Sequence, residues 1–484
     1  MNAQDVILSM DFKQIELLFK GSKPKFDVET EKAINQYQVK GHDIFDETIR
    51  PDKTIKKDTE TTDADNKRQT ITELVPVARV GLPYQKLIVN RRVGFMLSNP
   101  VTVSAIYAGA TATQKEKDLI AMVEKIQNDN KMDYKNKEIA RRMMSEMECA
   151  ELWYLEPPKE KGEQFSLKIK IISPDLGDTL YPLFDNTGDM IAFARKYMIK
   201  EGDTDIEHFD VYTPEFEYKY VLRDNTWQLD QEVNVWTKEG QKVVNPVPNA
   251  VNKIMVVYHS QKKPEWNDVQ TMIDRQEELV SNHADMNDYF GSPILAISGQ
   301  VLGFASKGEQ GKIIELSDAA KANYLALSSP PESIKMEVEN LEKFIYSMSQ
   351  TPNISFEQLM SIGGQISGVA LKMMFLDAHM AVNDKEEIFG IGLQRRLNLI
   401  KAVIGAVIDT RLAGEAKTLQ LKPVITPYLP SNDTEMIDNL SVAKTSGIIS
   451  KETAVEINPL VEDAETELQR IQKDNSKEIA GIPQ

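Results

Sequence analysis

Apolar residues fall at Ile334, Val338, Leu341, Ile345 and Met348, a spacing of four, three, four and three. That rhythm makes one face of a helix apolar along its length, and such a face needs a second helix to cover it. A partner is written upstream, where Trp266, Val269, Ile273, Val280 and Ala284 share a stripe interrupted by Gln276 and His283. The expected packing sets Val269, Ile273 and Val280 against Ile334, Val338, Leu341 and Ile345. Between the two helices, residues 293–327 hold short apolar runs punctuated by Gly299, Gly303, Gly308 and Gly311, which predicts strands or a small α/β knob. Thr351-Pro352-Asn353 then stops the second helix, and a Gly- and Ser-rich loop follows through Ile362-Gly363-Gly364-Gln365-Ile366-Ser367-Gly368. The helical period resumes at Val369, Met373, Leu376 and Met380 and returns in Leu397, Ile400, Ile404 and Val407, predicting one long helix kinked near Gly390 and Gly392.

The rest of the chain is arranged around this centre. Residues 11–20 read as a short helix and 31–42 as another helix or a turn. Residues 51–70 carry five acids and five bases with almost nothing apolar, the composition of a mobile surface loop. A helix over 82–97 begins at Pro83 and ends at Ser98-Asn99-Pro100, with a strand after it and then two amphipathic helices marked by Leu119, Val123 and Ile126 and by Ile139, Met143 and Met147. From 152 to 236 the period shortens to alternation between turn signals, which predicts an antiparallel sheet with hairpins. Residues 431–470 hold nine acids and three bases around spaced apolar positions, with a helix start at Ser450-Lys451-Glu452-Thr453, and predict a C-terminal bundle of short helices.

Composition limits what such a chain can do. Its 484 residues suit two to four domains of roughly 100 to 200 residues. Seventy-four acids against 57 bases leave a net charge of −17, which argues against a surface that grips nucleic acid by neutralising phosphates. It does not argue against a surface that lets nucleic acid pass. The single cysteine, Cys149, cannot close an internal disulfide or build a multi-thiolate zinc site. The first residues lack the basic and apolar regions of a signal peptide, and no apolar stretch approaches the roughly 20 residues of a membrane span. The expectation is an intracellularly made, soluble protein.

Catalytic motifs are missing. Gly21-Ser22-Lys23 lacks the upstream glycine of a phosphate-binding loop, Ser361-Ile362-Gly363 is half of a nucleophile elbow, and His42, His208, His259, His283 and His379 show no metal-ligand spacing. No cofactor and no metal are expected. Acid pairs such as Glu277 and Glu278 read as solvated helix faces.

Three blocks resemble one family. Ile88-Val89, Val93-Gly94-Phe95 and Asn99-Pro100 form the first, with Ser98 where that family usually has glycine. Ile273-Asp274 through Asn287-Asp288-Tyr289-Phe290 to Leu295-Ala296-Ile297-Ser298-Gly299 form the second. Ser367-Gly368-Val369-Ala370-Leu371-Lys372, followed by Gly392-Leu393-Gln394-Arg395-Arg396-Leu397, form the third. Together they resemble the portal proteins of tailed bacteriophages, in the branch typified by long-tailed phages of Gram-positive hosts.

The resemblance implies an α+β, mainly helical portal fold and a non-enzymatic ring, usually of twelve subunits, at one capsid vertex. Such a ring is the channel through which double-stranded DNA is packaged and ejected without sequence specificity, and it meets the terminase large subunit, head–tail adaptors, the major capsid protein and scaffolding protein, with no membrane involved. By that similarity 1–81 is an N-terminal region, 82–264 a wing with an antiparallel sheet, 265–290 and 331–350 stem helices, and 291–330 a small α/β clip. Residues 351–368 are the tunnel loop, 369–412 the long kinked wing helix and 413–484 the crown and tail. The loop would present Gln358, Ser361, Gln365 and Ser367 to DNA on glycine hinges at Gly363, Gly364 and Gly368. Asp274, Glu277, Asp285, Asp288, Glu337 and Glu342 would line the stem channel, or else form an outward solvated face. The location would be the virion, after assembly in the host cytoplasm. A rival class is a metal-dependent hydrolase or nuclease using Asp175, Asp178 and Asp185; a tail or neck adaptor is a third reading, though adaptors are generally much shorter.

Overall fold

The computed structural model describes residues 3–62, 68–107, 109, 111–158, 165–231, 234–237, 240–290, 294–298, 301–304, 314–316, 321–325, 331–353, 373, 375–428, 433–461 and 463–480. Helices α1 (Ala3–Leu8) and α2 (Phe12–Ser22) come first. The Asp11 carboxylate accepts from the Lys13 N–H at 3.1 Å, satisfying a donor at the start of α2 that no helical carbonyl reaches. After α3 (Thr30–Tyr37) the chain forms a hairpin, β1 (Lys53–Thr62) with β2 (Arg68–Val75), in one register from Lys53 opposite Val75 to Asp58 opposite Thr70 and shifted by the time Thr62 faces Arg68. This corrects the reading of 51–70 as a loop. Charge density opposes a core, but Thr54, Ile55, Thr70, Ile71 and Thr72 are β-branched, and a two-stranded ladder satisfies its backbone without one.

Helix α4 (Tyr84–Met96) starts after Pro83, and β3 (Thr102–Ile106) pairs with a strand far along the chain, Gln420–Val424. Helices α5 (Gln114–Asp129) and α6 (Met132–Glu146) follow, α5 opening with a capping box between Thr113 and Glu116. Next come β4 (Glu148–Glu156), β5 (Ser166–Ile172), β6 (Thr179–Phe184), β7 (Met190–Glu201), β8 (Thr204–Tyr212), β9 (Phe216–Arg223), β10 (Thr226–Leu229), β11 (Asn234–Thr237), β12 (Gly240–Val243), β13 (Val247–Pro248) and β14 (Val256–Ser260). Apart from β11 and β12, which form a two-stranded ribbon of their own, they build the expected antiparallel sheet in two parts: a six-stranded sheet ordered β10-β9-β8-β7-β6 with β13 beside β9, and a three-stranded sheet ordered β14-β4-β5.

Alternation along the strands explains how these parts stack. Ala192 and Ala194 of β7 join Phe12, Ile15 and Phe19 in one buried cluster, so α1 and α2 cover one face of the large sheet. Phe193 points the other way and packs with Ala150 and Leu152 of β4 and Val256 of β14. The opposite face of the small sheet, Cys149, Trp153 and Val257, joins the main core with Ile139 and Met143 of α6. The layers therefore run helix, sheet, sheet, helix.

Beyond β14 lies α7 (Gln270–Phe290), then β15 (Ile294–Ser298), β16 (Val301–Phe304), β17 (Ile314–Leu316) and β18 (Lys321–Leu325), then α8 (Pro331–Met348). β15 pairs with β18 and β16 with β17, one ribbon nested in sequence inside the other. Among the described residues this excursion contains strands and no helix, short of an α/β knob.

Helix α9 (Leu376–Val403) lies against β14 and the strand Gln420–Val424. It runs unbroken past Gly390 and Gly392, and its irregular turn comes later, a π-helical turn at Ile404–Ile408. Helical hydrogen bonding is not interrupted at the two glycines expected to mark a kink. A Cβ on Gly392 would sit 2.2 Å from Cε1 of His259, whereas one on Gly390 would meet nothing nearer than Glu386 at 3.8 Å. Gly392 is small so that β14 can approach α9. After α9 come α10 (Ala413–Thr418), β19 (Gln420–Val424), α11 (Asp433–Thr445), α12 (Lys451–Glu456) and α13 (Ala464–Ala480), with Ser450 capping α12 through the Thr453 N–H at 3.1 Å as its sequence predicts.

Candidate functional site

Helices α7 and α8 pack together, and their seam is closed at the end nearest the body. Val269, Ile273 and Ile345 are buried, while Val280, Ile334, Val338 and Leu341 are only half-buried. Met348, which the four-three rhythm places on the same stripe, is 61% exposed, as is Met336. The Gln276 amide donates to the Val338 carbonyl at 3.4 Å, and Arg275 bridges to Glu337 at 3.1 Å. One chain thus leaves part of its own seam uncovered.

The other side of α7 carries a ladder that sequence reading missed. Leu82 N–H donates to Glu277 at 2.6 Å, Val80 N–H to the Ser281 hydroxyl at 2.9 Å, and Ala78 N–H to Asp285 at 2.7 Å. Four helical residues rise about 6.0 Å and two extended residues about 6.6 Å, so every second amide of an extended segment meets every fourth side chain of a helix. His42 closes one end, its Nδ1 2.6 Å from Glu277 and its Nε2 2.9 Å from the Gln36 carbonyl. Burial lowers the affinity of His42 for a proton, but Glu277 outweighs it and the pKa is raised. At the other end Asp285 binds Arg50 at 2.9 Å and Lys53 at 3.1 Å, at the root of the β1–β2 hairpin. Partial burial pushes the Asp285 carboxyl up, and the Ala78 N–H, Lys53 and Arg50 together hold it below the ordinary carboxylate value.

These bonds correct the expected wall of acids. Glu277 is 1% exposed and committed to His42 and Leu82, and Asp285 is committed to the hairpin root, so neither is free to face a channel. Asp274 is half-buried and accepts from Gln270 at 2.7 Å, its carboxyl raised chiefly by burial. Glu337 and Glu342 are half-buried and Asp288 is exposed, so these three and Asp274 keep solvent access.

Two further polar clusters lie nearby, one fastening the end of α8 to the body and one joining α9 to the small sheet. Where α8 ends, Arg92 donates to the Ser349 carbonyl at 2.6 Å and Arg91 to the Pro352 carbonyl. Glu265 sits behind, paired with Lys385 of α9 at 2.8 Å and with Arg92 at 3.4 Å. Deeper in, Arg396 of α9 grips Glu151 of β4 with two bonds of 2.6 and 2.8 Å, and His259 and Trp153 reach the same carboxylate at 2.7 and 2.9 Å. Burial alone would raise Glu151, but Arg396 and His259 hold it down to about 2. Gly392 and Arg396 are one helical turn apart on one face. The sequence signals for this network were a charged residue inside the apolar run Cys149-Ala150-Glu151-Leu152-Trp153 and the Gly392–Arg396 spacing, neither of which names its partner.

The tunnel-loop candidates Gln358, Ser361, Gly363, Gly364, Gln365, Ser367 and Gly368 lie outside the described residues. The rival acidic trio does not gather. Asp178 pairs with Arg195 at 2.6 Å, Asp185 accepts from Thr187 within its own turn at 2.7 Å, and Asp175 lies 3.4 Å from Arg142. Among the described residues no group of three or more His, Cys, Asp or Glu is placed to hold a metal ion, and no helix is long and apolar enough to cross a membrane.

A two-sheet body with a paired-helix projection rooted in buried ion pairs agrees with the α+β portal architecture, and the chain belongs to the phage portal proteins, the SPP1 Gp6-like family matching residues 28–481. Among characterised relatives it is similar to the portal protein of Bacillus phage SPP1, 23% identical over 412 residues that cover 82% of this chain and 76% of that one. Among solved structures it is similar to a chain from the neck of a native GTA particle computed with C12 symmetry, with a TM-score of 0.40 and 9% identity over 78% of this chain and 88% of that chain.

Proposed function

We propose that copies of this chain assemble into a ring, of about twelve subunits, at one vertex of a phage capsid, and that the ring is the passage for double-stranded DNA during packaging and ejection. The observation that carries this reading is the family match over residues 28–481. In it α7 and α8 are the stem, the strands between them the clip that meets the terminase large subunit and later the head–tail adaptors, the two-sheet body with α9 the wing, and α11 to α13 the crown. The major capsid and scaffolding proteins are its other partners, at a vertex built in the host cytoplasm.

Physical features support it. Val280, Ile334, Val338 and Leu341 stay half-buried in a single chain, as a neighbouring subunit would require. A dozen copies at −17 carry a charge on the order of −200, a field that keeps a polyanion off the walls. In this reading Asp274, Asp288, Glu337 and Glu342 remain wall candidates, and the loop residues Gln358, Ser361, Gln365 and Ser367 touch DNA weakly and release it. Negative-stain microscopy of the purified chain tests the reading: a toothed ring with a central hole is expected, and compact single copies without an opening would overturn it. A magnesium-dependent nuclease assay should show no turnover.

A further inference from the structure

The β1–β2 hairpin leaves the body from a fastened root. Asp285 of α7 holds Arg50 and Lys53, and Asp52 holds Arg79 at 2.9 Å beside the buried Val77. Past that root, among the described residues, β1 and β2 pack chiefly on each other. Every residue of 53–56 and 72–74 is exposed. Thr54 stands opposite Leu74 and Ile55 opposite Glu73, and residues directly opposite share a face of the ladder. Leu74, 69% exposed, and Ile55, 47% exposed, therefore lie on opposite faces. A ribbon laid on its own body hides one face, whereas this one leaves both bare. Two strands by themselves are marginally stable in water, so such a ribbon calls for a partner.

We propose that the ribbon is an arm that lies along α8 of a second copy. This rests on the ring reading and names a contact between adjacent subunits. Helix α7 holds α8 on one side and, through Asp285, the root of the arm on the other. The arm and α8 thus occupy opposite flanks of the helix pair, the placement that a head-to-tail contact repeats around a closed ring. Off its seam with α7, α8 carries a second stripe, Met336, Asn340 and Phe344, with Met336 61% and Phe344 46% exposed. Charge agrees in sign: β1 has three lysines and two acids, and α8 has four glutamates and two lysines. Length agrees as well, since the ten residues of β1 span about 33 Å and the 18 of α8 about 27 Å.

Photocrosslinking of the full chain tests this, with p-benzoylphenylalanine at position 74. Irradiated protein is denatured, pairs of joined chains are separated from single ones by mass, and the joined peptides are sequenced by mass spectrometry. The label should join two chains and end within α8. Phe344→Asp should lower the yield of joined pairs about tenfold at equal concentration. Circular dichroism checks that this variant stays folded, as the exposure of Phe344 predicts; were it to unfold, the site joined in the otherwise unchanged chain decides alone. A label that stays within one chain, a label that ends on another element of the second copy, or an undiminished yield in Phe344→Asp would overturn the proposal. Rings seen by native mass spectrometry without the α8 cross-link would overturn the arm and leave the ring reading standing, whereas single copies that never pair would overturn both.

Discussion

Glu151 and Arg396 face each other with no solvent access, and each is expensive to bury without the other. Glu151→Ala should cost about 3–5 kcal/mol, because it strands a guanidinium in the core, and thermal melting would read it as a large fall in Tm. Because the folded Glu151 pKa is depressed to about 2, its contribution is complete above the unfolded carboxylate value and is lost only as pH falls toward 2. His42 has the opposite sign. Its folded pKa is raised, so the His42–Glu277 contribution is complete below pH about 6.5 and fades as pH rises through the folded value. The stability gap between the protein and His42→Gln should therefore narrow as pH rises above about 6.5 in denaturant titrations, and a gap that widens would refute the charged pair. The glycines separate in the same way. Gly392→Ala should destabilise by about 1–3 kcal/mol through the clash with His259, whereas Gly390→Ala should be neutral or stabilise by about 0.5–1 kcal/mol.

Among elements, α7 is used on two sides. One side packs on α8 and the other holds the segment 78–82 through Glu277, Ser281 and Asp285. Ser281→Ala leaves the Val80 N–H without its acceptor and should cost about 1–3 kcal/mol, while Ser281→Thr, which keeps a hydroxyl, should cost less in the same melts. On the α8 side the closed and open ends of the seam should respond differently. Ile345→Ala removes a side chain with no exposure and should cost about 2–5 kcal/mol in any oligomeric state. Leu341→Asp falls where the seam is half-open, so it should act mainly on assembly, and native mass spectrometry should find monomers or aggregates in place of rings.

For the whole molecule, in the proposed ring, the governing quantity is the acidic excess, since a conduit must not hold its cargo. In the proposed ring Gln365→Lys with Ser367→Lys adds two cations per copy next to the polyanion and should slow packaging, as counterion release strengthens each contact. Unchanged velocity in single-molecule packaging would remove residues 365 and 367 from the passage.

Periodicity was enough to find α7, α8, the antiparallel sheet and the helical run of α9, because burial on one face imposes a repeat of 3.6 or 2 on any chain that folds around a core. The hairpin at 53–75 escaped that logic, its sequence being charge-dense with almost nothing apolar over 51–70, and so did Gly392, whose demand comes from His259, 133 positions earlier in the chain. The acids on α7 show the limit most plainly. Their spacing along the helix could be read as a wall, yet two of them turn inward to backbone amides of residues 78 and 82 and to His42. Amphipathic repeats are local and are written in sequence; the partner of a buried charge is chosen by which distant segment the packing brings within about 3 Å, and only the folded chain decides that.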